Sequence, residues 1–142
     1  MVLKILRDFS YSALPDRIET GTFLVAAAIT GGRIIVKQAI SSHLEAVLKK
    51  ITTIRPPKIH FTESEIHLDM KGKRPKAIDI DTGPYPQFPT DMQAQLTALN
   101  AIADGTSIIR ENIFENRFMH VQEMTRMGAD IKLDQKTRYC SW

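Results

Sequence analysis

Gly31-Gly32-Arg33-Ile34-Ile35 and Gly105-Thr106-Ser107-Ile108-Ile109 read as one device written twice: a glycine, two small or polar residues, then a β-branched pair. A glycine stops a helix because it adopts left-handed backbone without a Cβ penalty, and the isoleucines behind it favour a strand. Upstream, Pro15-Asp16-Arg17-Ile18-Glu19 stands to the first copy as Pro89-Thr90-Asp91-Met92-Gln93 stands to the second, both offset by 74 residues. Self-similarity at a fixed offset marks a duplicated supersecondary unit.

Working outward, four helices are predicted from their caps. Asp16-Arg17-Ile18-Glu19 is a capping-box variant that opens a helix through Phe23, Leu24, Val25 and Ile29, apolar nearly all round and therefore expected in the interior. Ser42-His43-Leu44-Glu45 is a second box, and Leu44, Val47, Leu48 and Ile51 follow at amphipathic spacing until Pro56 and Pro57. Thr90-Asp91-Met92-Gln93 is a third, with Leu96, Leu99, Ile102 and Ala103 carrying an apolar face to Gly105. Asn116 caps the fourth, where Phe118, Val121 and Met124 form the stripe and Gly128 the stop.

Strands fit between them at Ile34 to Val36, Ile59 with Phe61, Ile66 with Leu68, Ile78 with Ile80, Ile108 with Ile109, and Ile131 with Leu133, with a weak lead strand in Leu3 to Tyr11. Each unit then reads strand, helix, strand, helix, strand, strand. The fold class is α/β with two such units in a single domain, 1–142, unit one over about 1–76 and unit two over about 77–142. Two units could close a compact domain, or a third could be missing.

A chain of 142 residues buries roughly two thirds of its unfolded surface, enough for a core without staples. The hydrophobic fraction of 43% and charged fraction of 25% are those of a soluble globular protein. No apolar run approaches the roughly 20 residues of a membrane span, and the charged start lacks a secretory cleavage site, so a cytoplasmic location and no membrane partner are expected. The densest basic stretch, Lys71-Gly72-Lys73-Arg74-Pro75-Lys76, has neither interleaved aromatics nor a docking helix, which argues for a solvated loop and against a nucleic-acid partner.

The chemistry-bearing residues are few. His43, His60, His67 and His120 form no helical metal pair, although His60 and His67 could face one another across a hairpin; no metal site is expected. Neither a dinucleotide fingerprint nor a P-loop occurs, and the lone Cys140 has no neighbouring base in sequence. Asp91 stands out, because a carboxylate in a first helical turn is held ionised by the helix dipole, as a hydrogen-bond acceptor or base for a sugar hydroxyl requires. The same placement would serve simply to stabilise the helix.

Four segments, Pro15-Asp16-Arg17-Ile18-Glu19-Thr20-Gly21-Thr22-Phe23, His67-Leu68-Asp69-Met70 with Gly72-Lys73-Arg74-Pro75, Phe88-Pro89-Thr90-Asp91-Met92-Gln93-Ala94-Gln95, and Phe114-Glu115-Asn116-Arg117-Phe118-Met119-His120, together resemble the UDP-N-acetylglucosamine enolpyruvyl transferase family. They follow that family's order and nearly its spacing from about Leu14 to Leu133. The resemblance implies an inverted α/β barrel, with each of two domains built from three repeats and the active site between them. It implies transfer of the enolpyruvyl group of phosphoenolpyruvate to the 3-hydroxyl of UDP-N-acetylglucosamine in peptidoglycan synthesis, without a cofactor.

Carried over residue by residue, Asp91 matches the aspartate that binds the substrate and serves as base for the hydroxyl. Ile113 stands where the backbone touches the nucleotide sugar, and Arg17 and Arg117 match motif arginines near the cleft. The family's cysteine-bearing loop and phosphoenolpyruvate-binding lysine have no counterpart here, and Cys140 lies in the wrong segment to replace that cysteine. Ile54-Arg55-Pro56-Pro57-Lys58 and Arg138-Tyr139-Cys140-Ser141-Trp142 also depart from the pattern. The expectation is a transferase fragment, inactive alone, that meets UDP-N-acetylglucosamine directly, meets phosphoenolpyruvate only with the missing segments, and self-associates; the alternative is a noncatalytic module binding a sugar nucleotide or a protein partner.

Overall fold

The computed structural model describes residues 8–54, 58–134 and 137–141, with the side chains of 134 and 137–141 left out of account. Pro56, Pro57 and the first part of the expected lead strand lie outside the described residues, and residues 8–11 form no strand. In chain order the elements are α1 (Arg17–Ile29), β1 (Arg33–Lys37), a 3₁₀ turn (Ser41–Leu44), α2 (Glu45–Ile51), β2 (Lys58–Phe61), β3 (Glu65–Asp69) and β4 (Ile80–Asp81). A second 3₁₀ turn (Thr90–Met92), α3 (Gln93–Asn100), β5 (Ser107–Arg110), α4 (Met119–Arg126), β6 (Asp130–Asp134) and β7 (Thr137–Ser141) follow.

The duplication appears in the wiring. The first sheet has the order β1-β3-β2, and the second has β4-β5-β7-β6, so β5-β7-β6 repeats the first order with every pairing again antiparallel. Only β4 is added, pairing parallel with β5 at Ile80↔Ile109 and Asp81↔Arg110. β7 was expected only as the unassigned closing strand of the second unit's pattern, and it occupies the central place that β3 holds in the first sheet. The hairpin register sets His60 opposite His67, with ring centroids 5.9 Å apart.

The caps are met less uniformly than the elements. Asp16 does cap α1, its Oδ1 accepting from the amides of Ile18 at 2.7 Å and Glu19 at 3.3 Å. The other two boxes and the Asn116 cap do not form. A 3₁₀ turn precedes both α2 and α3 without a side-chain cap, and α4 starts at Met119, after Asn116 has been passed. Gly31 and Gly105 both take positive φ, 66° and 104°, but α3 ends at Asn100 and the chain turns through Ala101 to Asp104 before reaching Gly105.

α1 is not buried all round. Leu24, Val25, Ala27 and Ala28 face inward, whereas Phe23 is half exposed. α1 and α3 pack on one another, and Gln95 of α3 donates from Nε2 to Thr22 Oγ1 of α1 at 3.0 Å. One cluster joins Leu24, Leu48, Ile51, Ile66 and Leu68 from the first unit to Met92, Leu96, Leu99 and Ile109 from the second. Each such side chain contributes about 1.5–3 kcal/mol by leaving water, so the shared cluster is what joins the two sheets into one body.

Ile78, expected in a strand with Ile80, is held by a side chain instead. Asn100 Oδ1 accepts from the Ile78 amide at 3.0 Å and Asn100 Nδ2 donates to the Ile78 carbonyl at 2.8 Å, so a buried amide plays the part of a neighbouring strand. No helix among the described residues is long and apolar enough to cross a membrane.

Candidate functional site

Parallel pairing of β4 and β5 means that the segments following them leave the sheet at the same end. After β4 the chain runs through 82–89 into the Thr90–Met92 turn, which carries Asp91; after β5 it runs through 111–118, which carries Ile113 and Arg117. Crevices outside the carboxyl ends of parallel strands are where α/β sheets bind ligands, since loops there can converge without disturbing the sheet.

Glu111, the first residue beyond β5, ties these segments together. Its side chain is buried, and Oε1 accepts from Thr82 Oγ1 at 2.9 Å, the Ile113 amide at 2.9 Å and the Phe114 amide at 3.2 Å. Oε2 accepts from Thr90 Oγ1 at 2.8 Å. Thr82 is itself engaged twice more, its hydroxyl accepting from the Asn112 amide at 2.9 Å and its carbonyl from Asn112 Nδ2 at 3.0 Å. Burial alone would raise the Glu111 pKa, but the bonds from Ile113, Thr90, Thr82 and Phe114 together outweigh it and hold the carboxyl below the usual glutamate range. An ionised carboxylate is acceptor only, and all four partners are donors.

Asp91 does not cap its helix. Its carboxylate turns toward the other segment, where Arg117 donates from Nη2 to Oδ1 at 2.6 Å, while the guanidinium carbon lies 5.2 Å from the centroid of the Phe114 ring. Both partners of the pair are partly exposed, at 38% for the Arg117 side chain and 53% for Asp91, so the contact stays open to exchange with a solute. Ile113, Phe114, Glu115, Asn116 and Arg117 line an open hollow of about 500 Å³ beside it.

Of the four residues expected from sequence, Asp91, Ile113 and Arg117 are therefore gathered at one end of the second sheet. Arg17 lies elsewhere: at the start of α1 its guanidinium stacks 5.5 Å from the Tyr85 ring centroid, in a narrow recess with Ser42, His43, Glu45, Gln87 and Pro89. Its recess borders the 82–89 segment that leads into the Asp91 turn. Glu111, Thr82 and Thr90 were missed as a group, and the available signal was an acidic residue directly behind a buried strand end.

Among the described residues no three His, Cys, Asp or Glu side chains gather as a metal site. His67 Nε2 lies 2.9 Å from Glu65 Oε2 on the hairpin, outside the hollow. His120 Nε2 is buried without a hydrogen-bond partner among the described residues, and burial lowers that histidine's pKa. In the Lys71 to Lys76 stretch an exposed turn at Lys71 and Gly72 leads to a buried Pro75 and a bridge from Lys76 to Asp104, with Arg74 donating from Nε to the Ile102 carbonyl.

Comparison with known proteins gives a family match over residues 3–139, to the profile described as EPSP synthase (3-phosphoshikimate 1-carboxyvinyltransferase). The chain is 58% identical over 130 residues to the UDP-N-acetylglucosamine 1-carboxyvinyltransferase of Histophilus somni (strain 129Pt), covering 92% of this chain and 30% of that protein. It is 54% identical over 138 residues to the enzyme of the same name from Hamiltonella defensa subsp. Acyrthosiphon pisum (strain 5AT), covering 97% of this chain and 32% of the relative. The crystal structure of the enolpyruvyl transferase NikO from Streptomyces tendae superposes with a TM-score of 0.74 at 19% identity, over 90% of this chain and 30% of that one, which is a likeness of fold. The chain thus spans about a third of the length of the curated relatives it matches.

Proposed function

From the premise that the chain belongs to the EPSP synthase (3-phosphoshikimate 1-carboxyvinyltransferase) family, we propose that it supplies one wall of a UDP-N-acetylglucosamine 1-carboxyvinyltransferase site. In this reading the wall binds the sugar nucleotide, and the whole enzyme moves the enolpyruvyl group of phosphoenolpyruvate to the sugar 3-hydroxyl and releases phosphate, in the cytoplasm and toward peptidoglycan. The observation that carries it is the convergence of Asp91, Arg117 and the Ile113 turn at the carboxyl end of β4 and β5.

Asp91 is the base in this scheme. Its carboxylate accepts the proton of the 3-hydroxyl as the oxygen attacks, and a half-exposed carboxylate has room to receive a ligand oxygen at hydrogen-bond distance. Arg117 has donors beyond the one given to Asp91, and its planar fork suits a phosphate or carboxylate oxygen. Ile113 meets the nucleotide sugar through its backbone. Arg17 serves at second hand in this scheme, bracing the 82–89 segment through Tyr85. The domain is one body of two units joined near residue 76, and it self-associates through the apolar side chains it exposes at Phe9, Tyr11 and Leu14. Protonation of the enolpyruvyl carbon requires an acid, and among the described residues Arg117 is the side chain bonded to Asp91 and cannot serve as one at neutral pH, so this chain alone binds without turning over.

Titration of the labelled chain with UDP-N-acetylglucosamine, followed by amide NMR, tests the reading. Shifts are expected around Thr90 to Gln93 and Ile113 to Arg117, with weak affinity because one wall supplies the contacts while the entropic cost of association remains. Asp91→Ala should diminish them and leave the spectrum otherwise folded. Shifts confined to Lys71 to Lys76 and indifferent to Asp91→Ala would mean nonspecific diphosphate binding and end the proposal.

A further inference from the structure

We infer that Glu111 is a positioning residue for the sugar-nucleotide site, holding the Asp91 turn and the Ile113-Phe114 turn at one fixed separation through the Thr90 hydroxyl; this rests on the reading proposed above. Glu111 itself is buried and touches no solute. One of its oxygens grips the second turn by two backbone amides, and the other grips the residue that precedes Asp91.

The bond to Thr90 carries the argument, because it is the link that Glu111 itself makes between the two segments, beside the partly exposed Arg117–Asp91 pair. Thr90 has the identity of a helix cap, and a capping hydroxyl would bond an amide two or three residues on. It bonds a carboxylate 21 residues away instead, which leaves the Thr90–Met92 turn without a cap and commits that hydroxyl to holding the turn in place. A ligand that must meet Asp91 and Ile113 at once gains from a separation set before it arrives, since ordering the two turns is then no part of its binding cost. The amides of Ile113 and Phe114 both point inward to Glu111, so the turn meets a ligand with the rest of its backbone.

Thr90→Val and Thr90→Ser separate positioning from mere folding, because valine keeps the shape of this partly buried side chain without its hydroxyl and serine keeps the hydroxyl while losing one methyl group. The dissociation constant for UDP-N-acetylglucosamine should rise about tenfold in Thr90→Val and in Glu111→Gln, the loss expected for one hydrogen bond to a charged group, and stay within about twofold of the parent in Thr90→Ser. A ligand-free measurement runs beside it. In the parent chain the Ile113 and Phe114 amide signals should move together only when pH falls below the usual glutamate range, Glu111→Gln should abolish that movement, and Thr90→Val should displace the Asp91 amide signal while Thr90→Ser does not. Equal affinity in Thr90→Val and Thr90→Ser, or an Asp91 signal indifferent to both, would overturn the inference. If the parent shows no UDP-N-acetylglucosamine binding, the functional reading falls, and the ligand-free displacement of Asp91 still decides whether Glu111 couples the turns.

Discussion

Replacing Asn100 by alanine should cost about 3–4 kcal/mol of folding stability. The Asn100 side chain is fully buried and makes both of its hydrogen bonds to Ile78, one to the amide and one to the carbonyl, and Ile78 is only 8% exposed. Truncation leaves a backbone donor and a backbone acceptor unpaired in the interior at roughly 1–3 kcal/mol each, and a partial collapse of the small void recovers a little of that. Against a total of about 5–15 kcal/mol for a domain of this size, the change is severe without being fatal. Urea unfolding followed by tryptophan-independent far-UV signal should show the midpoint falling by about 1.5–2 M, given a slope near 2 kcal/mol per M that itself stays unchanged. Asn100→Asp should be no better, since it keeps the acceptor for the Ile78 amide but sets an anion against the Ile78 carbonyl. A loss below about 1 kcal/mol with the Ile78 amide still protected from exchange would refute the reasoning, because it would mean the pair is replaceable by water or by a shift of the backbone.

Two glycines with nearly the same backbone should respond differently to alanine. Gly31 has φ 66° and a Cβ there would lie 3.1 Å from the Gly72 carbonyl carbon, whereas Gly72 has φ 69° with no atom within 4 Å of the added carbon. Gly72→Ala should therefore cost only the left-handed penalty of about 1–2 kcal/mol, and Gly31→Ala clearly more, a ranking that paired thermal melts would read and that equal melts would contradict. Exposed Phe9, Tyr11 and Leu14, at 88%, 72% and 65%, should draw chains together at moderate concentration; sedimentation showing a strict monomer, with no binding of an apolar dye, would count against association.

What was legible in the sequence was whatever depended on near neighbours. Asp16 caps α1 with amides two and three residues away, and the apolar stripe of α2 packs inward at Leu44, Val47, Leu48 and Ile51 as its spacing implied. The repeat was legible for the same reason, being a comparison of short strings. Thr90 shows the limit: the local pattern is a cap, and a carboxylate 21 residues on takes the hydroxyl instead. Ile78 failed as a strand because Asn100, 22 residues away, satisfies its backbone. Ile113 and Arg117 came from resemblance, and Asp91 from its first-turn position with resemblance added, while Glu111, whose one local sign is its place directly behind a strand end, has its side-chain partners at distances of 21 and 29 residues.

β4 is two residues long, and its partner in the parallel pair lies 29 residues further along the chain. A parallel pair cannot be closed by a tight turn, so this contact needs the intervening segment with α3 drawn shut, a separation like those of the Val36↔Ile66 and Ile109↔Arg138 pairs but held by only two residues of strand. The antiparallel hairpin of β2 and β3, with a connection of three residues, has no such need. The end of the sheet that carries Asp91 and Glu111 thus rests on the shortest strand among the described residues. Brief opening of β4 would scatter the hollow while both hairpins and the shared core stayed intact, and a spectroscopic measure of global structure would register almost nothing.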